Sequence, residues 1–292
     1  MNLPKLKKIF KWIGIVLFGS LVILLILMNF ALPFNESDKK LAAYLDTPNI
    51  VVSIEHIPVQ NHRLRIISTH QLGDQPDSTV VFIHGTPGSL SDFKAFLKDT
   101  ALLAKYTLVG IDRPGYGGSL DGLPIEGIEE QAHVLMQAIQ KAGFKNLILV
   151  GHSYGGPIAA KMAADFPNEV KGLLLLAPVN EAESEPKYKF WALLGSHIPF
   201  RWVLPSAIVN ASVEKLEHPA ELEKLESGWG KIQCPTIHLH GDRDFLAPPS
   251  NMAFTRHLIP AVHYKLIELA DENHFLPWTQ HEKIKEVLLD FG

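Results

Sequence analysis

Beyond Ser78 the chain passes through six short, nearly continuous apolar runs: Val80–Ile83, Thr107–Ile111, Leu147–Val150, Gly172–Leu176, Thr236–Leu239 and Tyr264–Leu269. Runs of this length, rich in branched residues and without polar alternation, suit strands buried on both faces of a sheet. Amphipathic helical patterns lie between many of them, at Ile128–Ala142 and Ile158–Phe166, and another, Ile284–Phe291, follows the last. Strands that alternate with helices need crossover connections. The predicted fold class is therefore α/β, a mainly parallel twisted sheet with helices on both faces. Ahead of it, Ile50–Val59 and Leu64–Thr69 alternate apolar and polar residues, as an antiparallel hairpin with one wet face would. One interval, about 180–230, holds no buried-strand run and is longer than an ordinary connection. It carries Tyr188, Phe190, Trp191, Phe200, Trp202 and a charged helical stretch, Val213–Glu226. It reads as a small helical cap over the site; an outer helical insertion without substrate contact is the other reading.

Composition narrows the function classes. Apolar residues are 47% and charged residues 20% of the 292, as in a globular protein and not a disordered one. The net charge of −4 comes with no basic cluster beyond the N-terminus, so no nucleic-acid partner is expected. Cys234 is the single cysteine. It forms no internal disulfide and reads as an inert core residue.

The N-terminal segment is read separately. Trp12 to Leu32 carries no charge, and 21 residues of helix span about 31 Å, close to a bilayer's hydrocarbon thickness. Lys5, Lys7, Lys8 and Lys11 precede it, and Glu36 and Asp38 follow. The expectation is a single-pass transmembrane anchor with the N-terminus cytoplasmic and the remainder extracytoplasmic. The alternatives are a cleaved signal peptide ending near Asn29-Phe30-Ala31, disfavoured by the length of the run and by the asparagine, and a buried helix of a soluble protein.

The run Leu147–Val150 leads into Gly151-His152-Ser153-Tyr154-Gly155, and a helical pattern follows. This is G-x-S-x-G between strand and helix. It puts a serine hydroxyl on a tight turn at the top of the sheet, beside the unpaired N–H groups of a helix start. Three further segments follow apolar runs: His84-Gly85-Thr86-Pro87-Gly88, Asp112-Arg113-Pro114-Gly115-Tyr116-Gly117-Gly118-Ser119, and Gly241-Asp242-Arg243-Asp244 with Pro248-Pro249 beyond. In this order the motifs resemble the α/β-hydrolase superfamily over about residues 50–292, nearest its small-cap, proline-iminopeptidase-like and haloperoxidase-like branches. The resemblance implies an oxyanion hole from the N–H groups of Thr86 and Tyr154. His84, Gly85 and His152 are expected beside the substrate, and the Asp112 loop is expected to be structural.

A serine hydroxyl needs a general base and a group to orient that base. The chain order Ser, acid, His puts the acid after the Thr236–Leu239 run, where the resemblance selects Asp244 and leaves Asp242 as the alternative. The base should follow the last run, where His274 lies. The expected activity is hydrolysis of a carboxylic ester or related acyl bond through an acyl-enzyme on Ser153, with no cofactor and no metal. An aminopeptidase or amidase with the same triad is the runner-up, with Glu181, Glu183 and Glu185 as candidate acids for a substrate ammonium. A non-catalytic binding or signalling member is the reading from another class. The expected partners are a small acyl substrate, lipid-derived if the anchor holds, and the membrane itself. The expected domains are 1–34 for lysines and anchor, 35–49 for a connector, and 50–292 for the hydrolase with its cap.

Overall fold

The computed structural model describes residues 3–31, 34–73, 76–120, 125–184, 189–197 and 204–291, with side chains at all of these but 3–6, 22, 25, 26, 28–31, 184 and 189–191. Along the chain lie α1 (Leu3–Ala31), α2 (Asp38–Leu45), β1 (Ile50–Val59), β2 (His62–Gln71), β3 (Thr79–Ile83), α3 (Thr100–Leu103), β4 (Thr107–Ile111), α4 (Ile128–Lys141) and β5 (Leu147–His152). There follow α5 (Gly155–Asp165), β6 (Val170–Leu176), α6 (Lys189–Ser196), α7 (Ser206–Trp229), β7 (Thr236–Gly241), α8 (Ser250–Leu258), β8 (Tyr264–Leu269), α9 (Leu276–Thr279) and α10 (His281–Leu289). The eight strands form one sheet in the order β1-β2-β4-β3-β5-β6-β7-β8. β1 and β2 pair antiparallel, as do β2 and β4, while the remaining pairs are parallel.

The apolar runs are continuous because each face of the sheet has its own core. Val81, Ile83, Val109, Leu149, Leu173 and Leu175 turn to the side of α4 and α5. Their neighbours Val80, Phe82, Leu108, Ile148, Val150, Leu174 and Leu176 turn to the side of α3 and α10. Successive side chains of a strand point to opposite faces, so two hydrophobic layers demand an unbroken apolar strand. The same parallel geometry sends the carboxyl ends of β3, β5, β7 and β8 to one edge, where open α/β sheets bind their ligands. Two strands run past the apolar run that marks them, β5 through Gly151 and His152 and β7 through His240 and Gly241. Hydropathy hides these last residues, and both extensions lead straight into candidate site loops.

The N-terminal expectation is corrected here. The segment is helical as α1, but no helix among the described residues is long and apolar enough to cross a membrane. The single-pass placement, with an extracytoplasmic domain, is therefore not supported. The expectation equated an uncharged run of sufficient length with a span. In the structure the helix starts at Leu3, so the lysines lie within it and not ahead of it.

Candidate active site

Ser153 sits where β5 hands over to α5, in the left-handed backbone region at φ 53°. A non-glycine residue is held there only when its surroundings over-determine it. Two contacts do so. The Ser153 N–H donates to Leu176 O at 3.0 Å, and the Gly156 N–H donates back to Ser153 O at 2.9 Å. The flanking glycines are needed for space. A Cβ on Gly155 would lie 2.3 Å from Ile83 O, and one on Gly151 would lie 2.4 Å from Gly155 O. The helix therefore packs directly on the backbone of β3 and β5, and the serine projects from the corner.

His274 follows β8 and is buried, and its Nδ1 stands 2.8 Å from Asp244 Oδ2. Asp244 is held in turn from the backbone, its Oδ1 accepting the N–H groups of Leu246 at 2.9 Å and Ala247 at 2.7 Å. Asp242, the alternative acid, is exposed. Behind the pair, His240 Nε2 bonds Ala247 O at 2.8 Å, and His240 Nδ1 lies 3.0 Å from His238 Nε2. His238 Nδ1 lies 2.8 Å from the Tyr264 hydroxyl. One set of neutral tautomers satisfies all three contacts. Tyr264 donates to His238, His238 donates to His240, and His240 donates to the carbonyl. Burial lowers the pKa of both histidines, in keeping with that assignment.

The loop after β3 brings Thr86 to the same place. Among the described residues neither the Thr86 nor the Tyr154 N–H has a backbone acceptor. His84 is wholly buried and its Nε2 accepts the Arg113 N–H at 3.0 Å, which leaves Nδ1 to donate to Gly85 O at 2.8 Å. Burial and then the Arg113 charge hold the His84 pKa well below the ordinary range. His152 bonds His274 O through Nε2 at 2.9 Å. Burial first, then the His274 ring, lowers its pKa to about 3. His84, Gly85 and His152 do not line the cleft; they brace its loops from behind. Asp112 is not in the cleft wall. It is buried, with Oδ2 accepting Arg65 Nε–H at 2.7 Å and Oδ1 accepting the Leu90 N–H at 2.8 Å. Burial pushes the Cys234 thiol up to about 11, so it is inert at neutral pH.

Ser153, His274, Thr86 and Tyr154 share one cleft of about 690 Å3. Its walls are chiefly apolar, with Val179, Leu194, Leu204, Ile208 and Leu246 among them, while Ser212, Lys215 and His218 of α7 add polar groups. The expected cap aromatics contribute nothing to this picture. Tyr188, Phe200, Trp202 and the side chains of Phe190 and Trp191 lie outside the described residues, as does Glu185. Glu181 and Glu183 are not in the cleft wall. Sequence reading missed Glu214, Gln131 and the hydroxyl of Tyr116. Arg113 donates to Glu214 from Nη1 at 2.7 Å and from Nη2 at 3.2 Å, all buried. The only signal was a glutamate inside a charged helix, which pattern alone assigns to solvent.

Residues 78–203 match a family model described as the alpha/beta hydrolase fold. The match coincides with β3 to α6 and contains the serine turn. The chain has the α/β-hydrolase fold. A solved structure described as a membrane phospholipase A, a bacterial virulence factor, shares it at TM-score 0.64 with 20% identity, over 99% of this chain and 98% of that one. The α/β-hydrolase-fold region is also similar in sequence to the poly(3-hydroxyalkanoate) depolymerase of Ectopseudomonas oleovorans, 25% identical over 63% of this chain and 74% of that protein. A shorter stretch is 36% identical to the dihydrolipoyllysine-residue acetyltransferase component of the acetoin cleaving system of Cupriavidus necator, over 35% of this chain and 26% of that protein. The chain spans 26%, 40% and 36% of the length of three of the curated relatives it matches.

Proposed function

We propose that this chain is a serine hydrolase that cleaves a carboxylic ester or related acyl bond through an acyl-enzyme on Ser153. The observation that carries the reading is the His274–Asp244 hydrogen bond of 2.8 Å, beside a cleft that His274 shares with Ser153. With Nδ1 committed to Asp244, the Nε2 of His274 is left for the serine hydroxyl. Ser153 Oγ bonds to the substrate carbonyl carbon as its proton passes to Nε2. The carbonyl oxygen takes up negative charge facing the Thr86 and Tyr154 N–H groups. Collapse expels the alkoxide, which leaves with the proton from His274. Water repeats the sequence and returns free Ser153 and the carboxylic acid. Asp244 holds the imidazole in one tautomer and stabilises its cation, and one oxyanion donor is typically worth about 3–4 kcal/mol of barrier.

The apolar wall favours an acyl or alkyl portion without charge, within the volume range usual for small-molecule sites. In this reading residues 50–292 are the catalytic domain and α6 with α7 form its cap. Names of proteins similar to this chain, a depolymerase and a phospholipase among them, agree with ester chemistry. A fluorophosphonate probe tests the proposal. The folded wild type should be labelled covalently and Ser153→Ala should not; a folded wild type that resists labelling overturns the reading. A series of p-nitrophenyl esters of rising chain length, run beside amino-acid nitroanilides, separates esterase from aminopeptidase activity.

A further inference from the structure

Glu214 of α7 lies fully buried against Arg113, which is itself fully buried in the loop after β4. The pair is the centre of a closed set of hydrogen bonds. Arg113 has five N–H groups, and each finds an acceptor. Nε reaches His84 O at 3.1 Å, Nη1 reaches Gln131 Oε1 and Glu214 Oε1, and Nη2 reaches Glu214 Oε2 and Gly85 O, the last at 2.9 Å. The carboxylate is equally complete, since Gln131 Nε2 and the Tyr116 hydroxyl occupy its remaining sites at 3.1 Å and 2.7 Å. Because Tyr116 gives its proton to Glu214, its oxygen accepts the Thr86 hydroxyl 2.6 Å away. The guanidinium also lies against the rings of Tyr116 and Tyr154, at 4.5 and 4.8 Å from their centres.

One bond in this set reaches the chemistry. The Gly85 carbonyl and the Thr86 N–H belong to the same planar trans peptide, so they point in opposite directions. Two donors, Arg113 Nη2 and His84 Nδ1, grip that carbonyl. The amide hydrogen on the other side is thereby aimed, and a charged donor on the carbonyl strengthens the amide as a donor in turn. We propose that Glu214 is a positioning residue which, acting through Arg113, holds the Gly85–Thr86 peptide in the orientation that presents the Thr86 N–H to the oxyanion. The inference rests on the proposed function above. It joins α7, which walls the cleft, to the oxyanion loop on the other side of Ser153. Glu214 never meets substrate. It keeps Arg113 from turning, and Arg113 keeps the carbonyl from turning.

The test is Glu214→Gln, which preserves shape but removes the charge and two acceptor sites. With a p-nitrophenyl ester and active-site titration, kcat should fall about 100-fold while KM stays within about threefold, since loss of one oxyanion donor acts on the transition state. Phosphonylation should slow in step. A kcat within about twofold of wild type in the folded variant overturns the inference, as does a loss that appears in KM alone. A crystal of the phosphonylated wild type supplies a second measurement if the variant does not fold. The phosphonyl oxygen should sit within hydrogen-bond reach of Thr86 N while Gly85 O stays on Arg113; a carbonyl turned away from Arg113 overturns it equally. Failure of the wild type to label at all sinks the proposed function itself, and that result is distinct from a labelled enzyme indifferent to Glu214.

Discussion

Asp244 and Asp242 stand two residues apart on one loop, and their surroundings give them different work. Asp244 is buried and meets the His274 ring, while Asp242 faces solvent. Asp244→Asn should therefore lower kcat by about 10,000-fold, because the amide favours the wrong imidazole tautomer while leaving the geometry in place. Asp242→Asn should stay within about twofold. Steady-state kinetics of the two variants decides the matter, and a more damaging Asp242→Asn would reassign the acid. The positions of Ser153, Asp244 and His274, the residues proposed as nucleophile, acid and base, could be picked out in the sequence, since each follows a recognisable apolar run and each residue type suits the task proposed for it. The partnership of Arg113 with Glu214 could not. The two are 101 residues apart, and a charge on a helix looks the same in sequence whether it meets water or another ion.

At the scale of elements, the short apolar runs predict the strands because burial on both faces leaves no room for polar alternation. The ends of β5 and β7 escape the same logic. Gly151, His152, His240 and Gly241 belong to strands yet are chosen for close approach and hydrogen bonding, which hydropathy does not register. The apolar N-terminal segment failed in the opposite sense. Helical character was readable, while the extent of the helix was not: it starts at Leu3 and takes in the lysines that the sequence reading set ahead of the span. The serine turn yields a prediction at this scale. Gly155→Ala puts a methyl group 2.3 Å from Ile83 O and 2.7 Å from His84 O, both main-chain atoms that cannot swing aside. The α5 start must move off the sheet, at about 3 kcal/mol. Denaturant melts should show that loss together with reduced phosphonate labelling; a variant as stable as wild type would mean that the packing is looser than these distances indicate.

For the whole molecule, the buried histidines set the response to acid. Burial lowers the pKa of His84, His152, His238 and His240, that of His152 from 6.5 to about 3. Below about pH 6.5 the unfolded chain takes up protons that the folded one refuses, so stability linked to these groups is intact above that value and is lost as pH falls, for His152 over the range down to about 3. Asp92 and Asp112 act in the other direction. Burial raises both, Asp92 to about 7, so stability linked to them is lost as pH rises. Four imidazoles against two carboxyls predict a melting temperature several degrees lower at about pH 5 than at about pH 7.5; equal values at the two would contradict this balance. One corner of the backbone has a wider consequence. Ser153 is kept in a conformation more natural to a residue without a side chain. Ser153→Gly should raise the melting temperature by roughly 1–3 °C while ending turnover. If calorimetry shows that gain, natural selection has kept in this molecule a less durable fold for the sake of a single reactive oxygen.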